Sequence, residues 1–170
     1  SVSRRARHPA PRCDPMLNIV LVAPEIPQNT GTIGRLCVCT DAALHLVKPL
    51  GFSLDASRVR RAGLDYWRHV RLSVHDGWEQ FLASVQPERL LFPSTHGQRT
   101  IYQTAFEPGD CLVFGNETTG LPAAFYTRYE RDLLLIPMPG GHARSHNLAN
   151  AVSVVLYEAL RQINGWSLEQ

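Results

Sequence analysis

The sequence is poor in cysteine and lysine and has no long apolar run, and each shortage excludes a class of protein. Its four cysteines form no C-x-x-C pair and no spacing typical of a zinc site, which favours free thiols in a reducing compartment. No apolar run approaches the roughly 20 residues that span a membrane. The basic N-terminal residues are not followed by the apolar stretch of a secretory signal. We therefore predict a cytoplasmic protein without a membrane segment.

Several catalytic motifs are also missing. The sequence has no G-x-G-x-x-G after its first apolar run and no G-x-x-x-x-G-K-[ST], which excludes common dinucleotide sites and P-loop nucleotidases. It has no H-E-x-x-H and no acidic cluster suited to a metal, so no metal is expected. Ser145 and His146 are neighbours and do not form a nucleophile elbow, which makes a hydrolase a poor fit.

The overall charge gives no signal for nucleic-acid binding. The formal net charge is +2, but residues 1–15 hold four arginines and one aspartate, which leaves −1 on residues 16–170. The basic residues are sixteen arginines and one lysine. This preference suits bidentate phosphate contacts, and a GC-rich coding bias would produce it as well. Residues 1–15, with three prolines and little to bury, are predicted to be a disordered basic extension before a single domain at 16–170.

Short apolar runs alternate with amphipathic stretches along residues 16–170. Residues 17–23 are apolar almost throughout, as expected of a strand covered on both faces, and residues 147–163 place apolar side chains at helical spacing. This alternation predicts an α/β fold with a mainly parallel sheet and flanking helices. The predicted strands are 17–23, 44–47, 70–74, 89–92, 111–114 and 133–136, and the predicted helices are 29–40, 55–62, 76–85 and 147–163.

Three loops that follow predicted strands are the candidates for a site. Residues 24–31, 115–121 and 137–147 mix glycine with small polar residues, which lets the backbone approach a ligand closely. In an open α/β sheet, ligands bind at the carboxyl ends of the strands, where these loops lie. Each loop alone is weak evidence, since glycine-rich turns between strand and helix are common in α/β proteins.

These three loops resemble, in residues and in order, the three motifs of the SPOUT RNA methyltransferases. The opening residues 24–31 and the segment 60–66 (RRAGLDY) are similar to the tRNA (cytidine/uridine) 2′-O-methyltransferase branch, which modifies the wobble nucleotide of certain leucine tRNAs. The similarity covers nearly all of residues 16–170. The residues that carry it are Asn29-x-Gly31-x-x-x-Arg35, Phe114-Gly115-x-Glu117-x-x-Gly120-Leu121, Ile136-Pro137-Met138 and Ser145-x-Asn147-Leu148-x-Asn150-Ala151-Val152.

The resemblance implies a fold, a reaction and partners. The fold would be the SPOUT fold with a C-terminal trefoil knot, although knots are rare in proteins generally. The reaction would be methyl transfer from S-adenosylmethionine, with S-adenosylhomocysteine as the product, to a ribose 2′-hydroxyl of tRNA. Relatives work as homodimers through the closing helix, so a homodimer is expected here. The donor pocket would be formed by Pro93, Ser94, Thr95, Gly115, Glu117, Ile136, Met138, Ser145 and Leu148.

The resemblance also assigns catalytic candidates. Arg35, expected one turn into its helix and pointing back to the site, would hold the substrate phosphate and favour the alkoxide. Asn29 would cap the same helix, shape the substrate side of the pocket, or do both. Glu117 would orient a loop or contact the RNA sugar. Ser145 and Asn147 would cap the last helix and contact donor and ribose.

Tyr157 has two interpretations. A tyrosine on a mostly apolar helix is usually a core residue, whereas the resemblance would let Tyr157 reach the active site of a partner subunit.

Binding of RNA rests on a local cluster. Arg60, Arg61 and Arg68 surround Tyr66 and Trp67, a combination that can grip phosphate and stack a splayed base. A solvated helix face would explain these arginines about as well.

Two other functions remain open. A noncatalytic RNA-binding protein of the same fold would be expected to have lost Arg35 or the donor pocket. An enzyme that acts on a small molecule is disfavoured by the cluster of arginine and aromatic residues, and methylation of another RNA is a further alternative.

Overall fold

A computed structural model of the chain describes residues 15–55, 59, 61 and 64–166. Within these residues seven strands form one parallel sheet in the order β3-β2-β1-β6-β4-β7-β5. The strands are β1 (Asn18–Val22), β2 (Ala43–Val47), β3 (Arg71–His75), β4 (Leu90–Pro93), β5 (Arg99–Thr100), β6 (Cys111–Phe114) and β7 (Leu133–Leu135). The helices are α1 (Pro27–Thr40), α2 (Trp78–Val85), α3 (Phe125–Arg128) and α4 (Leu148–Asn164), with 3-10 helices at Leu64–His69, Ile101–Gln103 and Glu130–Asp132.

The predicted α/β architecture with a parallel sheet is confirmed. Side chains of β1 alternate between two buried clusters, because successive residues of a strand point to opposite faces of the sheet. Ile19 and Leu21 pack in the cluster that also takes residues of α1 and α4. Val20 and Val22 pack in the cluster that takes Phe81 of α2 together with residues of α3. Helices therefore cover both faces of the sheet, which explains the nearly continuous apolar run of this strand.

The strand order brings four strand ends together. β1 and β6 are neighbours at the centre, with Asn18 paired to Cys111 and Leu21 to Phe114. β4 lies beside β6, and β7 lies beside β4. Because all four strands are parallel, the loops that follow them leave from the same edge of the sheet. This edge is where open α/β sheets bind ligands.

Different residues define the start of α1 and the two ends of α4. Pro27 occupies the first position of α1, where its missing N–H and fixed φ cost nothing. The Asn147 side chain caps α4 and accepts a hydrogen bond from the Asn150 N–H at 3.2 Å, so the expected cap by Asn147 is confirmed. Gly165 ends α4 in the left-handed region, at φ 65°.

The predicted bounds differ from the observed ones by at most two residues wherever the two can be compared. The difference matters in α1, which begins at Pro27 and not at Asn29. The predicted cap by Asn29 is therefore wrong: Asn29 is the third helical residue, and Ile26 holds the capping position in an extended conformation without a side-chain hydrogen bond. Proline at the first position starts the helix earlier than the asparagine suggested.

Other elements were missed or stay open. The sequence did not predict β5, α3 or the 3-10 helices, all of which are too short to show a hydrophobic period. The predicted helix 55–62 lies mostly outside the described residues. The trefoil knot stays a prediction. Free thiols are confirmed for Cys37, Cys39 and Cys111, while Cys13 lies outside the described residues.

A pair of buried histidines joins three neighbouring strands. His45 Nδ1 lies 3.0 Å from His75 Nε2, and His45 Nε2 lies 3.2 Å from the Oδ1 of Asn18. The two rings stack, and both meet the edge of Phe81. Burial, together with the neighbouring His75, lowers the pKa of His45 to about 4, and burial also lowers the pKa of His75. The fold therefore holds both rings in the neutral form.

We expect the free energy of unfolding to fall as the pH is lowered from about 6.5 to about 4. The folded-state pKa of His45 lies below its unfolded value, so the stabilisation is complete above pH 6.5 and is lost as the pH falls through this interval. Urea unfolding across the interval measures the loss. His45→Gln, whose side chain cannot be protonated, should show a shallower decline. His142→Gln, at an exposed position, should keep the wild-type decline. Equal slopes in all three chains would contradict the prediction.

Candidate functional site

A cleft of about 580 Å³ opens at the carboxyl edge of the sheet, where β1, β4, β6 and β7 end. This volume lies within the roughly 300–1,000 Å³ of pockets that bind drug-sized ligands. Its wall is partly apolar, with Phe114, Leu121, Ile136 and Leu148 among the lining residues. Most of the remaining lining comes from the loops after β4, β6 and β7, and the start of α1 adds Ile26 and Asn29.

The loop after β6 folds tightly on itself. Asn116 and Gly120 form an antiparallel bridge, and Asn116 Oδ1 accepts hydrogen bonds from the backbone N–H groups of Thr118 and Thr119. A Cβ at Gly115 would collide with the backbone of Gly120, so only glycine fits where the strand enters this loop. The loop is thereby fixed with Glu117 at its turn.

Glu117 joins this loop to the start of α1. Its Oε2 accepts a hydrogen bond from the backbone N–H of Glu25 at 2.9 Å, and its Oε1 accepts one from the N–H of Ile26 at 3.0 Å. The Nδ2 of Asn29 donates a third, longer bond to Oε1 at 3.3 Å. A carboxylate beside the N-terminus of a helix is also favoured by the helix dipole. Glu117 therefore anchors the chain where β1 turns into α1.

Asn29 extends the same network to the third loop. Its side chain is nearly buried, and its Oδ1 accepts a hydrogen bond from Asn147 Nδ2 at 3.1 Å. Asn147 in turn caps α4 with its Oδ1. One chain of side-chain hydrogen bonds thus connects Glu117 of the loop after β6, Asn29 of the first turn of α1 and Asn147 of the loop after β7. The starts of both long helices are set by this network.

All the predicted donor-pocket residues line the cleft, and so do four of the six catalytic candidates, two of which belong to both sets. Ser145 lies on its exposed rim, two residues before the cap of α4. The predicted residues in the lining are Asn29, Pro93, Ser94, Thr95, Gly115, Glu117, Ile136, Met138, Ser145, Asn147 and Leu148.

The cleft also contains residues that sequence reasoning did not assign. His96 lies in the loop between β4 and β5, and its ring packs on that of Tyr126 at 4.4 Å between centroids. Arg144 and His146 lie on the loop before α4. His96 directly follows residues 93–95, which the sequence assigned to the donor pocket, so its place in the cleft could have been predicted. Tyr126 follows no predicted strand, so nothing in the sequence indicated its place there. Among the described residues that line the cleft, Arg144 is the one permanent cation.

Arg35 and Tyr157 do not line this cleft. Since α1 begins at Pro27, Arg35 is its ninth residue and lies two turns in, which corrects the expected single turn. Its guanidinium Cζ lies 5.2 Å from the ring centroid of Tyr66, so it does not point back into the cleft as predicted. Tyr157 is ten residues beyond the cap of α4, about 15 Å along the helix at 1.5 Å per residue. Its side chain is 47% exposed, so it is not a core residue.

The predicted RNA-binding cluster is described in part. Tyr66 and Arg68 are exposed on the 3-10 helix Leu64–His69, and Arg61 is exposed as well. Trp67 is only half-exposed and packs against the cluster of α1 and α4, so its ring is not presented to a base in this arrangement. Arg60 lies outside the described residues.

Two absences concern the described part of the chain only. No helix there is both long and apolar enough to cross a membrane. No group of three or more His, Cys, Asp or Glu side chains there has the proximity to hold a metal ion.

Comparison with known proteins gives consistent matches. The profile of the SpoU rRNA Methylase family matches residues 16–157. The tRNA (cytidine(34)-2'-O)-methyltransferase of Burkholderia ambifaria is 48% identical over 150 residues, which cover 86% of this chain and 96% of that protein.

Two solved structures resemble the fold. A structure from work on the 2-OH methylation of C/U34 on tRNA superposes with a TM-score of 0.84 at 45% identity, covering 89% of this chain and 98% of that one. The SpoU methyltransferase AviRb from Streptomyces viridochromogenes in complex with the cofactor AdoMet gives a TM-score of 0.78 at 26% identity, covering 89% of this chain and 59% of that one.

Glu117→Gln should lower the free energy of unfolding by about 1–3 kcal/mol, the usual cost of a lost hydrogen bond to a charged group. The amide keeps one acceptor, but its NH₂ group would face the backbone N–H of Glu25 or Ile26. Chemical unfolding at neutral pH measures the change. Glu88→Gln is the matched control, because Glu88 is exposed and makes no ion pair or hydrogen bond in the described structure. An equal, small effect of both substitutions would contradict the anchoring role.

Proposed function

The chain belongs to the SpoU rRNA Methylase family, and on that basis we propose that it is a tRNA 2′-O-methyltransferase that uses S-adenosylmethionine. The expected target is the wobble cytidine or uridine of leucine tRNAs. The observation that carries the proposal is the cleft at the carboxyl edge, formed by the three loops that hold the family's motifs. Because a tRNA substrate is found in the cytoplasm, we propose that the enzyme acts there.

The cleft has the chemistry that S-adenosylmethionine requires. An adenine needs a flat apolar slot with backbone hydrogen bonds at its edge. Ile136, Met138 and Leu148 supply apolar surface, and Gly115 lets the backbone come close. S-adenosylmethionine, when bound, supplies an electrophilic methyl group on its sulfonium and leaves as S-adenosylhomocysteine. The protein's task is therefore to bind, orient and supply electrostatics.

The ribose 2′-hydroxyl is a weak acid, so it needs in-line placement and help in losing its proton. Arg35 is permanently protonated, which excludes it as the proton acceptor and suits it to stabilise an alkoxide and hold a phosphate. The carboxylate of Glu117 already accepts hydrogen bonds from three N–H donors, so its role in this scheme is to hold the loop. The substrate phosphate held by Arg35 is then the proposed proton acceptor.

Asn29, Asn147 and Ser145 have supporting roles in this scheme. Asn29 and Asn147 fix the wall between the starts of α1 and α4 through their mutual hydrogen bond. Ser145, exposed on the rim, is placed to meet the donor or the reacting ribose. Such placement matters because in-line attack tolerates little displacement of the reacting atoms.

RNA recognition depends on local charge, as the domain has no excess of basic residues. Arg61 and Arg68 are exposed beside Tyr66, a set that can contact phosphates and a stacked base. Arg60 is assigned to the same surface from the sequence.

A homodimer is the second part of the proposal. Arg35 and Tyr157 lie outside the cleft of their own chain, so one copy does not assemble all the catalytic candidates. Val154 and Tyr157 are both exposed and lie three residues apart on α4, which places them on one face of the helix. A second copy packed on this face would bury both side chains and bring Tyr157 towards the partner's site.

The first experiment is methylation of tRNA from a host that lacks the equivalent enzyme. The purified chain is incubated with S-adenosylmethionine and this tRNA, and the nucleosides are analysed by mass spectrometry. We expect new 2′-O-methylcytidine or 2′-O-methyluridine. Arg35→Ala should lower the rate by about 100-fold or more, the typical loss of a transition-state charge contact. Arg131→Ala, at an exposed arginine outside the cleft, should leave the rate unchanged.

The other outcomes of this assay are informative. Donor binding without methylation of tRNA would redirect the search to ribosomal RNA. Binding of tRNA without donor binding would favour the noncatalytic RNA-binding alternative and end the methyltransferase proposal.

The dimer is tested by sedimentation equilibrium. The wild-type chain should show twice the 19.0 kDa mass of one copy. Tyr157→Arg should shift the mass towards one copy, because it would place two charges in an apolar interface. Tyr102→Arg, at a tyrosine that is 61% exposed on the 3-10 helix Ile101–Gln103, should not change the mass. A wild-type chain that sediments as one copy would overturn the dimer.

A further inference from the structure

The proposed catalytic arginine has one described partner, an aromatic ring. The guanidinium carbon of Arg35 lies 5.2 Å from the centroid of the Tyr66 ring, within the range of a cation–π contact. Within the described residues Arg35 makes no hydrogen bond and no ion pair. A cation–π contact through the guanidinium face leaves the N–H donors at its edge free. Arg35 is thus restrained while its donors stay available.

The ring of Tyr66 is itself held in place by its neighbour. The 3-10 helix Leu64–His69 packs against α1, where Trp67 lies over Gly34. A Cβ at Gly34 would lie 2.6 Å from Cζ3 of Trp67, so this close approach requires glycine. Trp67 packs beside Gly34, and Tyr66 contacts Arg35. Two successive residues of the 3-10 helix thus contact two successive residues of α1. The position of the Tyr66 ring relative to α1 is therefore set by packing.

We propose that Tyr66 is a positioning residue for methyl transfer, which holds the Arg35 guanidinium for the substrate phosphate. This inference rests on the proposed function, because it assigns Tyr66 a role only if Arg35 acts on RNA. It differs from base stacking by Tyr66, since the contact is made within the protein before RNA binds. An arginine on an exposed helix face otherwise samples many rotamers, and restraint reduces the entropy lost when the phosphate is bound.

The contact predicts a specific pattern of kinetic effects. Tyr66→Leu should lower kcat by about 3- to 10-fold, the loss expected for one cation–π contact and its positioning effect. Tyr66→Phe keeps a ring of similar shape and should restore kcat to within about twofold. Binding of S-adenosylmethionine and the melting temperature should be unchanged in both, because Tyr66 is 41% exposed and outside the cleft. Tyr102→Leu is the matched control and should keep the wild-type kcat.

A double-mutant cycle separates the two roles of the ring. If Tyr66 acts through Arg35, adding Tyr66→Leu to Arg35→Ala should change kcat by less than about 1.5-fold, because coupled residues are not additive. If Tyr66 stacks on a base independently, the second substitution should multiply the loss and raise KM for tRNA. Additive effects, or a failure of Tyr66→Phe to restore kcat, would overturn the positioning role.

The result can be told apart from a failure of the proposed function. A wild-type chain that methylates no RNA refutes the proposed function, and the positioning role is refuted with it. A wild-type chain that methylates tRNA while Tyr66→Leu keeps full kcat refutes the inference alone. The NMR signal of the Arg35 Nε–H group checks the contact without activity, since removal of the ring should shift this signal in Tyr66→Leu and not in Tyr102→Leu.

Discussion

The carboxylate of Glu117 is the interaction on which the cleft depends. It accepts hydrogen bonds from two backbone N–H groups and one side chain at the start of α1, all from residues about 90 positions earlier in the chain. Asn29 is hydrogen-bonded to Asn147, which caps α4, so the start of α4 is tied to the same carboxylate. Three loops that leave separate strands are thereby held as one unit. Such loops would otherwise be the most mobile parts of an α/β protein.

The site has two parts: the cleft held by these hydrogen bonds, and the side chains of Arg35 and Tyr157 outside it. The cleft is assembled within one chain, and its walls come from strand ends and from the starts of α1 and α4. Arg35 and Tyr157 lie on exposed helix faces, one restrained by Tyr66 and the other projecting into solvent. Under the proposed function, the methyl donor binds in the first part and the second part aligns the RNA.

Two other buried polar groups in the fold, His45 and Asp110, also have hydrogen-bond partners. His45 lies in the sheet, bonded to His75 on one side and to Asn18 on the other, and burial keeps the pair neutral. Asp110 is buried to 2% exposure and is bonded by Arg89, while burial raises the pKa of its carboxyl group. These three side chains are paired, as expected when an unpaired buried polar group costs about 1–3 kcal/mol, whereas the buried hydroxyl of Thr30 has no hydrogen-bond partner among the described residues. These networks lie away from the cleft and support the sheet that positions it.

Features that depend on local chemistry could be predicted from the order of the residues. Continuous apolar runs identified β1, β6 and β7, helical spacing identified α4, and Asn147 marked the cap of that helix. The glycine-rich loops after these strands located the cleft, because the carboxyl ends of parallel strands share one edge. Short elements such as β5 and α3 escaped prediction, since two to four residues show no period.

Only the tertiary structure decided which distant side chains meet. Nothing in the spacing of Glu117 and Asn29 says that they bond, for the contact is made by strand order and not by chain proximity. Because α1 starts at Pro27, Asn29 lies inside the helix, where its side chain joins the network instead of capping the helix. Two residues correspond to about 200° of turn at 100° per residue, so the direction of a helical side chain relative to the first residue of its helix cannot be obtained from an approximate start.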